Sequence, residues 1–228
     1  MANVLQTYAA RVRQFSPNAR LYLASAILTG AALGVYRLLF NFYALSLGMN
    51  ESDLGEFITI SSMTALIVAL PMGYLADFLG RKKSLILGAG VVAVAIAVMV
   101  LWPSKLVFIL TNVVMGAAQG LSAVSMSPFL IENSGEEERT YLFSLSSGVQ
   151  MTAAFIGSSI GGNLPTWIAV RQGVSPTSSS AYAGALAMGI GLLNAPIISD
   201  RIGKIQLVVI TQGLSIPFLV MLGYAPWF

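Results

Sequence analysis

This chain of 228 residues contains no cysteine and no histidine, and only 9% of its residues are charged. The missing thiols and imidazoles exclude disulfides, cysteine nucleophiles, histidine-based triads and the usual transition-metal ligands. A soluble domain carries about 25% charged residues, so the low charge content excludes that class. The sequence gives no reason to expect catalytic residues, a metal or another cofactor. The net charge of +3 is too small to indicate a nucleic-acid partner.

Apolar residues make up 56% of the chain and lie in long runs. Such runs are typical of membrane helices, which need about 20 residues to cross the hydrocarbon core. Backbone groups find no water in lipid, so we expect helices, and the 22 glycines allow these helices to pack closely. Seven runs are long enough, or nearly so: Leu21–Leu45, Phe57–Phe78, Ser84–Leu101, Leu106–Ile131, Tyr141–Leu164, Ala181–Ile198 and Ile205–Tyr224. The first follows a polar leader and is too long for a cleaved signal peptide, so it predicts a retained helix.

Lysine and arginine predict the orientation of the bundle. With the N-terminus in the cytoplasm, nine of these residues fall in cytoplasmic segments and only two outside, which is a strong positive-inside bias. The cytoplasmic ones are Arg11, Arg13, Arg20, Arg81, Lys82, Lys83, Arg139, Arg201 and Lys204, and the outer ones are Lys105 and Arg171. We therefore predict a multi-pass protein of the plasma or inner membrane.

The loop between the second and third runs reads Gly73-Tyr-Leu-Ala-Asp77-Phe-Leu-Gly80-Arg81-Lys82-Lys83. An unpaired acid at the membrane boundary is costly, so Asp77 needs a cation, and Arg81 is the nearest. Gly73 lets a neighbouring helix approach its backbone. The spacing resembles the signature loop of the major facilitator superfamily, found after the second helix on the cytoplasmic side. The alternative is that Arg81, Lys82 and Lys83 only set the topology.

The resemblance implies a secondary active transporter in which this loop latches the outward-facing state. In the family an acid at the cytoplasmic end of helix 4 commonly joins the cluster, and Glu132 stands at that position. The predicted latch residues are therefore Gly73, Asp77, Gly80, Arg81 and Glu132. The implied fold is an all-α transmembrane bundle: the family's N-terminal six-helix half with about one extra helix, about seven spans in all, and a cytoplasmic N-terminus.

A second copy of the loop starts at Asn194, and its predicted functional residues are Asp200, Arg201, Gly203 and Lys204. An offset of 123 residues relates Asp77 to Asp200 and also relates four further pairs: Gly80 and Gly203, Arg81 and Lys204, Gly90 and Gly213, Pro103 and Pro226. Transporters of this family have two related halves, with the loop after helices 2 and 8. Pro196 replaces the leading glycine of the second copy.

The two copies are separated by four runs, whereas the family has six helices between them. This spacing predicts a transporter chain with its middle deleted, and thus a truncated or fragmentary product. The predicted parts are a cytoplasmic leader (1–20), helices resembling helices 1–5 of the family (21–170), a polar loop (171–180) and a segment resembling helices 8–9 (181–228). The missing helices would be supplied in trans or by a homo-oligomer.

Polar residues inside the runs are candidates for the substrate cavity, because such residues are costly in lipid. The candidates are Arg37, Asn41, Asn112, Gln119 and Gln150. Arg37 would suit an anionic solute, with a structural ion pair as the alternative; the amides would contact solute or only join helices. The acidic cluster Glu51, Asp53 and Glu56 predicts a solvated loop and helix cap.

Two weaker motifs bear on proton coupling. Gly148 and the segment from Gly157 to Gly162 resemble the glycine-rich motif of proton-coupled antiporters, with Ser158 in place of its proline. A packing face of small residues is the alternative. Asn112 replaces an arginine that the family links with proton coupling, so coupling stays open.

Together these features predict transport of a small solute across a lipid bilayer by alternating access. A membrane protein that does not transport, either degenerate or an assembly partner, is the alternative. An enzyme is disfavoured, because the chain lacks His and Cys and its lysines lie only at the ends of the runs.

Overall fold

The computed structural model describes residues 15–189, apart from the side chains of Asn18 and Glu137. All regular structure in this range is helical, which confirms the predicted fold class. The helices are α1 (Pro17–Ser46), α2 (Glu51–Ile67), α3 (Ala69–Leu79), α4 (Arg81–Leu101), α5 (Lys105–Glu132), α6 (Glu136–Gly161) and α7 (Leu164–Gln172). An eighth, α8, begins at residue 179 and is described to residue 189.

Three of these helices are long and apolar enough to cross a membrane: Ala19–Ser46, Arg81–Leu101 and Lys105–Glu132. Helices α2 and α3 together would form a fourth span. Four of the five predicted runs in the described range thus match a span. The fifth lies on α6, which has 26 residues but is not among these spans, because serines and Gln150 interrupt its apolar sequence. The sixth run is described only in part, and the seventh lies outside the described residues.

The second run differs from the single continuous span that its sequence predicts. It breaks at Val68 into α2 and α3, which are bent by 60° relative to each other. Pro71 explains the break, because it has no N–H to donate to the carbonyl of Ile67 and its ring clashes with that carbonyl. The two halves of this run therefore point in different directions.

The sequence also places the end of the fifth run and the polar loop differently from the structure. After Gly161 the chain turns and continues as α7 through Gln172, two residues into the predicted loop 171–180. Gly173 then ends α7 with a φ of +68°, a conformation that favours glycine. The remaining turns, over residues 173–178, lead into α8.

The backbones of α1 and α6 approach each other closely at glycine positions of both helices. A Cβ atom added at Gly34 would overlap the carbonyl oxygen of Ala154, and one added at Gly157 would overlap the carbonyl oxygen of Ala31. Gly30 faces Gln150 and Ala153 in the same way. Since lipid tails are as apolar as the helices, this close backbone approach is what holds the pair together.

Helix α5 packs against α2, α3 and α4 and forms the centre of a second group. An aromatic cluster joins this group to α1, with ring centroids 5.3–6.3 Å apart: Tyr36, Phe40, Tyr43, Phe57 and Phe108. Four of these five side chains are at most 4% exposed, and Tyr36 is 9% exposed. The cluster fixes α1, α2 and α5 relative to one another at the end of the bundle where these rings lie.

The start of α1 is held against the end of α5, at the end of the bundle away from the aromatic cluster. Ser16 caps α1, since its Oγ accepts a hydrogen bond from the N–H of Ala19 (3.2 Å). The same hydroxyl donates to the carbonyl of Asn133, at the end of α5 (2.8 Å). Phe15 packs nearby, 2% exposed, against a small cluster that includes Phe129 and Leu142.

Candidate functional site

The structure brings three charges of the predicted latch together between α3, α4 and α5. Arg81 forms an ion pair with Asp77, four residues earlier. Its Nε lies 3.8 Å from Oε1 of Glu132, at the end of α5. The Arg81 side chain is 24% exposed, and the two acids are 63% and 58% exposed. We call Asp77, Arg81 and Glu132 the charge cluster.

Gly80 allows these charges to meet. It separates α3 from α4 with a φ of +85° and a ψ of 145°, a backbone conformation essentially restricted to glycine. Its N–H donates to the carbonyl of Ala76 (3.0 Å), and its own carbonyl accepts from the N–H of Ser84 (3.1 Å). One residue thus ends one helix and begins the next, which places Asp77 and Arg81 side by side.

Each charge of the cluster lies at the helix end that disfavours it. Asp77 is in the last turn of α3 and Glu132 ends α5, where the helix dipole is negative. Arg81 begins α4, where the dipole is positive. The helices alone would therefore be more stable without these charges. Their mutual pairing offsets the unfavourable placement, and this points to a role other than stability.

Gly73, the first glycine of the motif, is not approached by any other helix in the described part of the chain. A Cβ atom added there would have no neighbour within 4 Å. The surface around it is apolar and open, since Leu70, Tyr74 and Phe78 are 81–88% exposed. The predicted approach of a neighbouring helix is thus not made by residues 15–189.

A second group of charges lies where α2 and α5 begin. Asn50 caps α2 in a reciprocal pair with Asp53. Oδ1 of Asp53 also accepts a hydrogen bond from Nζ of Lys105 (2.7 Å), and Glu56 lies 3.5 Å from the same nitrogen. The expected helix cap is present, and the ion pair with Lys105 is a contact that the sequence did not reveal.

A cavity of about 250 Å³ lies between α1, α4, α5 and α6. Two predicted cavity residues, Gln119 on α5 and Gln150 on α6, line it together. The other polar side chains in its wall belong to Tyr22, Ser25, Thr29 and Ser122, and its remaining wall is apolar. We call this space the four-helix cavity.

The structure places the other three candidates elsewhere. Arg37 and Asn41 lie on an exposed face of α1 and do not line the four-helix cavity. Arg37 makes no ion pair with residues 15–189, so its alternative interpretation as a structural ion pair finds no partner there. Asn112 is 4% exposed, and its amide donates to the carbonyl of Phe108 (2.8 Å), so its hydrogen bond lies within its own helix, α5.

The second copy of the loop, with Asp200, Arg201, Gly203 and Lys204, lies outside the described residues. The glycine-rich segment of α6 is described, and it favours the packing interpretation. Gly157 and Gly161 face the backbone of α1, whereas Gly148 has open space around it.

Two features were not predicted from the sequence: the hydrogen bond from Ser16 to the carbonyl of Asn133 and the aromatic cluster. The pattern Ser16-Pro17 before an apolar run is a helix-start signal that could have located the cap. No local pattern could have identified its partner, 117 residues away.

Comparison with known proteins agrees with this arrangement. A family model described as Major Facilitator Superfamily matches residues 22–167, which include the charge cluster and the four-helix cavity. The Quinolone resistance protein NorA of Staphylococcus aureus (strain MRSA252) is 23% identical over 158 residues, which are 69% of this chain and 39% of that protein. The chain thus aligns with well under half of that relative. This is a membrane protein, and it belongs to the major facilitator superfamily.

Proposed function

We propose that this chain takes part in secondary active transport of a small organic solute across the plasma membrane by alternating access. The charge cluster is the observation that carries the proposal. Its three charges oppose their own helix dipoles, and a pairing among exposed groups contributes only about 0–1 kcal/mol. Such a contact is weak enough to open and close during a transport cycle.

In this proposal the cluster latches the cytoplasmic side. When Asp77, Arg81 and Glu132 are paired, α3, α4 and α5 are held together at that end and the outward-facing state is favoured. Opening toward the cytoplasm separates the charges into water, where their solvation replaces the pairing. The two states then differ by a small free energy, as reversible switching requires.

The four-helix cavity is the proposed place of contact with the solute. The name of the staphylococcal relative refers to quinolone resistance, which favours export of small organic compounds. The anionic solute expected from Arg37 stays a prediction that rests on that residue alone, and proton coupling likewise stays a prediction.

The test is flux through proteoliposomes that contain the full chain, measured separately with a fluorescent quinolone and with an uncharged aromatic amide as solutes. We expect Asp77→Asn to lower the rate roughly two- to fivefold, because losing about 0.5–1 kcal/mol of pairing depopulates the outward-facing state. Glu51→Gln removes an exposed acid at the start of α2 and is the matched control with no expected effect. An unchanged rate in Asp77→Asn would show that the cluster is not a latch.

A second candidate function is a non-transporting assembly partner. In this alternative, the partner covers the open apolar surface around Gly73 that Leu70, Tyr74 and Phe78 form. It predicts a folded protein without flux in any orientation, and co-purification with another membrane protein of this family. Flux by the isolated chain would exclude it.

A further inference from the structure

The wall of the four-helix cavity is polar but uncharged. None of its described lining residues is Asp, Glu, Lys or Arg. The charged residue within the first span, Arg37, lies outside it. A charged solute in this space would lose its hydration without gaining a counter-charge, which is costly in a membrane interior.

Two of the four hydroxyl groups of the wall are committed to the backbone. Oγ of Ser25 donates to the carbonyl of Tyr22 (2.8 Å), and Oγ of Ser122 donates to the carbonyl of Ala118 (3.0 Å). Each of these oxygens can still accept a hydrogen bond, but it has no further proton to donate. The hydroxyls of Tyr22 and Thr29 donate to no residue from 15 to 189, so they add neutral donors and acceptors to the wall but no charge.

The two glutamine amides are uncommitted. Neither Gln119 nor Gln150 makes a side-chain hydrogen bond with any residue from 15 to 189. Each amide carries two N–H donors and one carbonyl acceptor. Gln119 is exposed and Gln150 is half-buried, so both amides are accessible from the cavity, and the pair is suited to a ligand that offers both an acceptor and a donor.

We infer that the four-helix cavity selects an uncharged solute with a carboxamide-like group, a donor and an acceptor side by side, joined to a small apolar body. Gln119 and Gln150 bind that group from two different helices, α5 and α6. The apolar body packs against residues such as Leu33 and Met126. This inference rests on the proposed function, in which the cavity is the contact site for the solute.

Benzamide and benzoate test the inference, because they share a size and shape and differ in charge. Their binding to the purified full chain in lipid nanodiscs would be measured by calorimetry at neutral pH. We expect benzamide to bind at least roughly tenfold tighter than benzoate, since the charged compound finds no partner in the cavity. This comparison needs no mutation and is therefore independent of folding defects.

Two variants assign the selectivity to the glutamines. Gln119→Leu and Gln150→Leu should each weaken benzamide binding roughly tenfold, because about one hydrogen bond is lost and a polar group of benzamide is left unpaired. Neither variant should change the binding of benzoate. Gln172→Leu makes the same exchange at the end of α7, outside the cavity, and should change neither. Equal or tighter benzoate binding, no benzamide binding, or variants without effect would each overturn the inference.

The outcomes separate this inference from the proposed function. Benzamide binding with the expected selectivity, but no flux in proteoliposomes, contradicts transport and leaves the inference standing. Flux of benzoate that depends on Arg37, without benzamide binding, supports transport and overturns the inference.

Discussion

The contact between α1 and α6 gives the sharpest test of the packing. In Gly157→Ala, the new Cβ would lie 2.7 Å from both the Cα and the carbonyl carbon of Ala31, and it would overlap the carbonyl oxygen. Ordinary contact begins at 3.4 Å. The obstructing atoms belong to the backbone, so no side chain can rotate away and the helices must separate.

The magnitude follows from that separation. Because the carbonyl oxygen of Ala31 is nearer than these two carbons, the helices must move apart by roughly 1 Å or more, which forfeits about half of the dispersion energy at each affected contact. Alanine is about 1 kcal/mol better than glycine as a helix former, which offsets part of the loss. We expect Gly157→Ala to lower the free energy of unfolding by about 1–3 kcal/mol, as overpacking does elsewhere.

The measurement is the free energy of unfolding of the full chain in mixed micelles, titrated with SDS. Gly148→Ala is the matched control, because it lies on the same helix, is exposed and meets nothing within 4 Å in the described structure. It should be neutral or slightly stabilising. Equal stability of the two variants would refute the view that backbone contact holds α1 to α6.

Two further perturbations probe the ends of the helices. Gly80→Ala should lower the free energy of unfolding by about 1–3 kcal/mol, because a residue with a side chain is strained at a φ of +85°. The control is Gly55→Ala, in an exposed helical position, which should not lower it. Similar losses in both variants would argue against strain at Gly80. Lys105→Met should lower the free energy of unfolding only slightly, because the ion pair of Lys105 with Asp53 is partly exposed, and this small loss should shrink at high salt. Lys83→Met, an exposed lysine at the other end of the bundle, is the control for the loss of charge, and a loss at Lys105 that salt leaves unchanged would contradict the ion-pair explanation.

Features that depend on neighbours along the chain could be predicted from the sequence. Helices follow from long apolar runs in a low-dielectric solvent, whatever their partners are. The pairing of Asp77 with Arg81 follows from their spacing of one helical turn around a glycine, and the cap formed by Asn50 and Asp53 is equally local. The contact of Arg81 with Glu132 was expected only through the family resemblance.

The bend in the second run also has a local cause that is visible in the sequence. Pro71 lies inside the second run, and its missing N–H is a sufficient reason for the bend at Val68. The sequence shows that the backbone is weakened at this point. It does not show how far the two halves turn, because the packing of α2 and α3 against α5 sets that angle.

The sequence by itself determined the class of protein, the approximate position of most helices and the pairing of Asp77 with Arg81. Only the tertiary structure decided that Gln119 and Gln150 share one cavity while Arg37 and Asn112 lie outside it. Helical periodicity fixes which residues share a face of one helix, but every apolar face in lipid is equally compatible with lipid or with another helix. The choice of neighbour depends on close backbone contacts, such as that of Gly157 with Ala31, which exist only once distant segments have met.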